Sequence, residues 1–281
     1  MMKTREFYSK IEFTNEGQLS LFFLGTGTAF TKLNFQNNIL IIKGKDHVLV
    51  DCGTLCPLSF SDFNSEITNV KNYLITHSHA DHIGGLEEVA LSNMYVTKRR
   101  PKIIITDDYK KILWKNSLRG GLAIRGELGM RQKMTFDDYF DQIKPEKIKN
   151  TPRPFYNVNV GSINLKLFRT KHLFTDKNTW KNSFYSLGVL IDEKILFTGD
   201  SKADPELIKW ISEKYDLEAI FHDCSFTENA VHASYNELKK IIPAELKPIT
   251  HICHYNDGCE NKEVSKDGFG TIVRRGIYYD F

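Results

Sequence analysis

Apolar and polar residues alternate along this chain in short blocks. Runs of about four to eight apolar positions recur as "LSLFFLGTG", "NILIIK", "HVLVD", "NYLIT", "KIIIT", "INLKLF", "SLGVLI", "KILFTGD", "LEAIFHD" and "PITHIC", each bounded by Gly, Asp, Asn or Thr. Their length and their Ile, Val, Leu and Phe content predict strands. Helical periodicity falls between some of them, in "IGGLEEVALSN", "DDYKKILWKNSL", "DPELIKWISEKY" and "SYNELKKII". Asp204 with Pro205, and Ser234 with Glu237, have the spacing of helix starts. Strands interleaved with helices argue for a layered α/β protein.

The segment from Arg119 to Pro154 breaks the rhythm. It is polar and punctuated by Gly and Pro. It predicts an insertion with one or two short helices inside a single domain spanning 1–281. The tail "TIVRRGIYYDF" predicts an edge strand.

Composition narrows the class. With 281 residues, 41% hydrophobic and 26% charged, the chain can bury a sizeable core. A net charge of +3 does not identify a nucleic-acid binder. The run "KRRPK" reads as a solvated face. No signal-peptide pattern opens the chain, and no run reaches the ~20 apolar residues of a membrane span. The five cysteines, Cys52, Cys56, Cys224, Cys253 and Cys259, make a poor disulfide framework and predict reduced thiols in a cytoplasm.

The chemistry concentrates in "LITHSHADHIGGL", where a predicted strand runs into His77, His79, Asp81 and His82. Crowding four donors without a cation would leave polar groups unpaired. His77 and His79 alternate and can converge on one ion; Asp81 and His82 follow and could serve a second. Further donors stand just beyond other apolar runs: His172, Asp200 and His251. Asp200 as a bridging carboxylate would neutralise charge on both ions. His47 has no motif around it and reads as surface.

HxHxDH after a strand, then a distant His, an Asp in "TGD" and a final His, resembles the metallo-β-lactamase superfamily over most of the chain. The resemblance implies an αββα sandwich, two central sheets flanked by helices, with two metals at one edge. It implies His77, His79 and His172 at one metal, Asp81, His82 and His251 at the other, and Asp200 bridging. Asp51, ending "HVLVD", would support the site from behind. His254 competes with His251 for the last ligand; His251 is preferred because it directly ends its strand.

Within the superfamily, "LGTGTAF" followed by "FQNNILI" resembles the ribonuclease Z and cyclic-nucleotide phosphodiesterase branch, with Asn37 or Asn38 shaping the site. "AIFHDCSFTENAVHASYNELKK" resembles that branch's second histidine region, with His222 and Asp223 ending a strand and His232 aimed at the scissile phosphate. Asp223 stands where that branch commonly has Glu. Only 28 positions separate His172 from Asp200, too few for the tRNA-gripping arm of ribonuclease Z. The chain therefore looks more like small phosphodiesterases, including the phage-encoded anti-Pycsar type that destroy cyclic-nucleotide immune signals.

The resemblance implies a hydrolase that opens 3′,5′-cyclic mononucleotides to linear monophosphates. Asp81 would orient or deprotonate the attacking water, and His232 would protonate the leaving oxygen. The ions would be zinc, with manganese or iron as alternatives. The substrate is a small phosphodiester, its base stacked on Phe136, Tyr139 or Phe140, and the expected assembly is a homodimer. The rival readings are an RNA-processing nuclease, a hydrolase of another ester, and a catalytically silent metal-binding protein.

Overall fold

"SLFFLG" forms a strand buried along its whole length, Ser20–Gly25, because both of its faces meet a core. Leu21 and Phe23 point one way, into a cluster with Ile39, Val48, Leu165, Val189 and Phe221. Phe22 and Leu24 point the other way, against Phe60, Leu86 and Leu113. That alternation repeats through two sheets in a computed structural model that describes residues 2–127 and 130–281.

The strands, in chain order, are β1 Lys3–Glu6, β2 Ser20–Gly25, β3 Asn38–Lys43, β4 Asp46–Val50, β5 Asn72–Leu74, β6 Lys102–Ile104, β7 Ile124–Glu127, β8 Met130–Lys133, β9 Asp141–Ile143, β10 Glu146–Ile148, β11 Phe155–Val160, β12 Ile163–Arg169, β13 Leu187–Ile191, β14 Ile195–Phe197, β15 Ala219–Asp223, β16 Thr250–Cys253 and β17 Ile277–Asp280. One sheet runs β1-β17-β2-β3-β4-β5-β6-β9 and the other β10-β11-β12-β13-β14-β15-β16; β7 and β8 form a separate hairpin. Helices cover both outer faces. Cys56–Asp62, Leu86–Ser92 and Asp107–Leu113 pack on the first sheet. Pro205–Lys214 packs Leu207 and Ile211 on Phe155 and Phe168 of the second. This is the expected αββα sandwich.

Each sheet is antiparallel through one half and parallel through the other. β4, β5, β6 and β9 are mutually parallel, as are β14, β15 and β16. The parallel halves send their C-terminal ends toward one edge, where α/β folds commonly place their chemistry.

Helix starts follow the sequence: the Asp204 side chain accepts from Leu207 N, and Ser234 and Glu237 form a reciprocal capping box. Three expectations need correction. The 119–154 segment has its two short helices, Arg119–Leu122 and Phe136–Tyr139, but it also supplies β9 to one sheet and β10 to the other. β17 is not an edge strand; it lies between β1 and β2. His47 is buried, its Nε2 accepting from Lys71 N at 3.1 Å. Among the described residues no helix is long and apolar enough to cross a membrane.

Candidate metal centre

β4 ends at Val50, and Asp51 follows with a left-handed backbone, φ 62°. That conformation is uncommon outside glycine and clusters at functional positions. It turns the carboxylate across to the neighbouring strand end, where Thr76 N donates at 2.7 Å and Thr76 Oγ1 at 2.7 Å. His82 Nδ1 lies 2.6 Å from the same carboxylate. With Thr76 donating twice, Asp51 acts as acceptor and fixes the proton of His82 on Nδ1. Nε2 of His82 is then a free lone pair, and it is a buried atom with no partner.

Three overlapping groups of donors share Asp200, which follows β14; the third joins Asp200 with Asp223, His232 and His254. In one, His77 Nε2 lies 2.9 Å from His79 Nδ1, and His172 Nε2 lies 3.3 Å from that same nitrogen. Asp200 Oδ2 stands 3.8 Å from His77 and 3.9 Å from His172. In another, His82 Nε2 is 3.2 Å from Asp81 Oδ2 and 3.3 Å from Asp200 Oδ2. His254 Nε2 completes it, 3.6 Å from Asp81 and 3.4 Å from Asp200. Tetrahedral ligands on a ~2.05 Å bond sit about 3.3 Å apart, and these separations bracket that value. Three imidazole nitrogens cannot satisfy one another with shared protons, whereas one cation satisfies all three. Buried Nε2 of His82, Oδ1 of Asp200 and Nε2 of His254 also lack hydrogen-bond partners. The donors fit divalent metal ions.

Electrostatics agree. Burial works against the charge on Asp200, but His254 and His82 hold its carboxyl well below the usual range. Burial likewise opposes charge on His82, but Asp200, Asp81 and Asp51 hold it well above the usual histidine value, so this spot favours a positive charge that a cation on Nε2 would supply in place of a proton. Burial pushes His77 and His172 down, the latter to about 4, so both are neutral donors.

His251 is not among these groups. β16 continues two residues past it, to Cys253, and only then does a left-handed His254, φ 55°, turn into the cluster. The strand phase turns His251 to Phe221, 5.3 Å between rings, and its Nδ1 accepts from Thr271 N at 3.2 Å. The strand ends two residues later than the apolar pattern placed it, and the histidine that enters the cluster follows directly after it. His222 is a second correction. It alternates with Phe221 and Asp223 and faces away, its Nδ1 on the backbone oxygen of Asp223.

Asp223 and His232 do meet. The Asp223 carboxylate lies 2.7 Å from His232 Nδ1 and 3.3 Å from His254 Nδ1, and accepts from Ser201 N at 3.0 Å. Burial lowers the affinity of His232 for a proton, but Asp223 more than restores it. Asn37 is buried, its Nδ2 3.8 Å from the sulfur of Cys253, and so braces the residue before His254. Gly84 and Gly85 serve the Cys52–Thr54 turn, where a Cβ on Gly85 would lie 2.7 Å from Cys52 Sγ. The base-stacking candidates Phe136, Tyr139 and Phe140 are core residues, 2%, 2% and 0% exposed.

Sequence reasoning missed Lys202, whose buried amine donates to Asn229 O at 2.8 Å, His232 O at 3.1 Å and Glu237 Oε2 at 3.0 Å. A lysine after "TGDS" gives no sign of this. It missed Phe184 too, stacked on His79 at 5.2 Å. A cavity of about 530 Å³ opens on the cluster, with His79, Asp81, Asp200, His232 and His254 in its wall.

Comparison with known proteins bears on the family and the fold. The family described as "Anti-Pycsar protein Apyc1" matches residues 19–279. An anti-Pycsar protein Apyc1 from Paenibacillus sp. (strain J14) is 32% identical over 262 residues, covering 92% of this chain and 98% of its own. One from Bacillus phage BSP38 is 32% identical over 245 residues, covering 85% and 89%. The metallo-β-lactamase fold protein YhfI from Bacillus subtilis superposes with a TM-score of 0.68 at 14% identity, over 94% of this chain and 100% of its own. The chain has the metallo-β-lactamase fold and belongs to the Apyc1 family of anti-Pycsar proteins.

Proposed function

We propose that this metallo-β-lactamase-fold hydrolase is a phosphodiesterase that opens cyclic nucleotides, 3′,5′-cyclic mononucleotides foremost, to linear monophosphates. The observation that carries it is the His232–Asp223 pair at 2.7 Å, in the wall of the same cavity as the metal-donor groups. A hydrolase that only activates water has no use for a second, oriented proton donor. Cleavage of a diester with a basic ribose oxygen leaving does.

Two divalent ions, zinc foremost, would be held by His77, His79, His172 and Asp200, and by Asp81, His82, His254 and Asp200. Bound there, they supply positive charge opposite the phosphate and acidify a water. The residues do the rest. Asp81 orients the attacking water and takes its proton as the new O–P bond forms. His232 gives its Nε2 proton to the 3′ oxygen as the P–O bond breaks. Asp223 holds Nδ1 and keeps the imidazole charged until transfer. Asp51 keeps His82 in the tautomer that offers Nε2.

The cavity is in the range of small-ligand sites. Extended RNA would need several phosphate contacts from a basic surface, and a net charge of +3 with 28 residues from His172 to Asp200 favours a single-phosphate substrate. Homodimer assembly belongs to the same reading; Val96 and Ile124, exposed by 75% and 61%, each adjoin in sequence a residue of the Arg125–Tyr95 contact. The test is kcat/KM on 3′,5′-cyclic nucleotides against a pre-tRNA with a 3′ trailer. Accurate trailer removal with no cyclic-nucleotide turnover would overturn the proposal.

A further inference from the structure

Phe30 is 88% exposed, yet it sits in the wall of the cavity that holds the metal donors. An exposed aromatic on a loop is ordinary when the loop is loose. This loop is fastened along its length. The Asp257 carboxylate accepts from Lys32 N at 2.7 Å, Leu33 N at 3.1 Å, Asn34 N at 2.9 Å and Asn34 Nδ2 at 3.0 Å. Those donors hold Asp257 below the usual carboxylate range against its partial burial. Thr31 Oγ1 donates to Thr28 O at 2.7 Å, and Thr28 Oγ1 to Asn256 Oδ1 at 2.9 Å. Gly27 permits the closure, since a Cβ there would lie 2.2 Å from Thr31 Oγ1.

Asn256 and Asp257 follow His254 by two and three residues. One turn therefore carries a metal donor into the cluster and clamps the loop that presents Phe30. Leu33 lies on the same clamped loop, 76% exposed, but not in the cavity wall. Leu173 and Val231 add apolar wall, and Asn229 and Asn256 add polar edges.

We infer that Phe30 is the platform on which the base of the nucleotide stacks, a specificity residue of this site that rests on the phosphodiesterase reading. An aromatic face is a base-binding surface because every base has a π-face, and a preset loop binds without an ordering cost. Stacking acts on ground state and transition state alike, so its loss raises KM and spares kcat.

The experiment compares Phe30→Ala, Phe30→Trp and Leu33→Ala in the metal-loaded protein. For 3′,5′-cyclic nucleotides, Phe30→Ala raises KM about ten- to hundredfold. Its kcat stays near wild type, and metal content is unchanged. Phe30→Trp restores KM, and Leu33→Ala leaves it alone. On a base-free ribose 3′,5′-cyclic phosphate, wild type and Phe30→Ala coincide. Equal KM values on cyclic nucleotides, or a fall confined to kcat, overturn the platform. Failure of the wild type to open any cyclic nucleotide instead overturns the phosphodiesterase reading beneath it.

Discussion

Replacing Lys202 with methionine tests how His232 is held. The amine is buried and its carrier residue is 9% exposed. It donates to two loop carbonyls, Asn229 O and His232 O, and to Glu237. A hydrogen bond to a charged group contributes roughly 1.5–3 kcal/mol net. The Glu237 carboxylate is 37% exposed and adds no more than ~1 kcal/mol. Water can reach part of the loop after the change, and methionine keeps the apolar stem, so a loss of about 2–4 kcal/mol is expected. For a chain of this size that is a melting shift of about 5–10 °C. Activity should fall further than stability explains, because the carbonyl of His232 itself loses its anchor. The Asp223 contact is then left to position the ring alone, and kcat drops about tenfold with KM little changed. Thermal scans and steady-state kinetics at a temperature where both proteins are folded measure this. A variant with wild-type kcat would show that Asp223 suffices and that the clamp is only structural.

His254→Ala should lower bound metal below the near-two ions per chain expected of wild type and abolish turnover, while His251→Ala keeps its metal; elemental analysis separates the two, and the reverse pattern would restore His251 as a ligand. Asp204 sits between Arg153, 2.7 Å away, and Lys171, 3.1 Å away. Burial pushes its carboxyl up, but the two cations outweigh burial and hold it below its ordinary 3.8. A depressed carboxyl stabilises the fold above its unfolded value, and that contribution is lost as pH falls through the folded value, here below pH 3.8. Arg153→Met should therefore cost about 3 kcal/mol at neutral pH and move acid unfolding to higher pH; an unchanged acid midpoint would refute the coupling.

The histidine loop and Asp200 were legible because local order fixes them: a strand ends, and donors follow at alternating positions. His172 was legible for the same reason. His254 was not, because an apolar "THIC" cannot reveal how far a strand continues, and the left-handed turn after it is invisible to periodicity. β9 and β10 escaped because edge strands "DQI" and "EKI" are short and partly exposed, so burial writes no pattern on them. Phe136, Tyr139 and Phe140 read as exposed aromatics because the polar segment around them hides the core they fill. The Lys202 clamp and the Asp257 clamp join residues far apart in sequence through backbone atoms, which no side-chain pattern encodes.

The division of donors between the sheets has a consequence for how the sandwich is aligned. His77, His79, Asp81 and His82 follow the first sheet and His172, Asp200 and His254 the second, so the group of His77, His79, His172 and Asp200 and the group of Asp81, His82, Asp200 and His254 each need members of both. Apolar contact between two sheets is non-directional and tolerates many offsets of nearly equal burial. A slip of one residue, ~3.3 Å, would separate every donor from its counterpart. The polar edge thus acts as a vernier on a greasy slide: the core makes the sheets adhere, and the histidines and carboxylates select the one alignment that the chemistry can use.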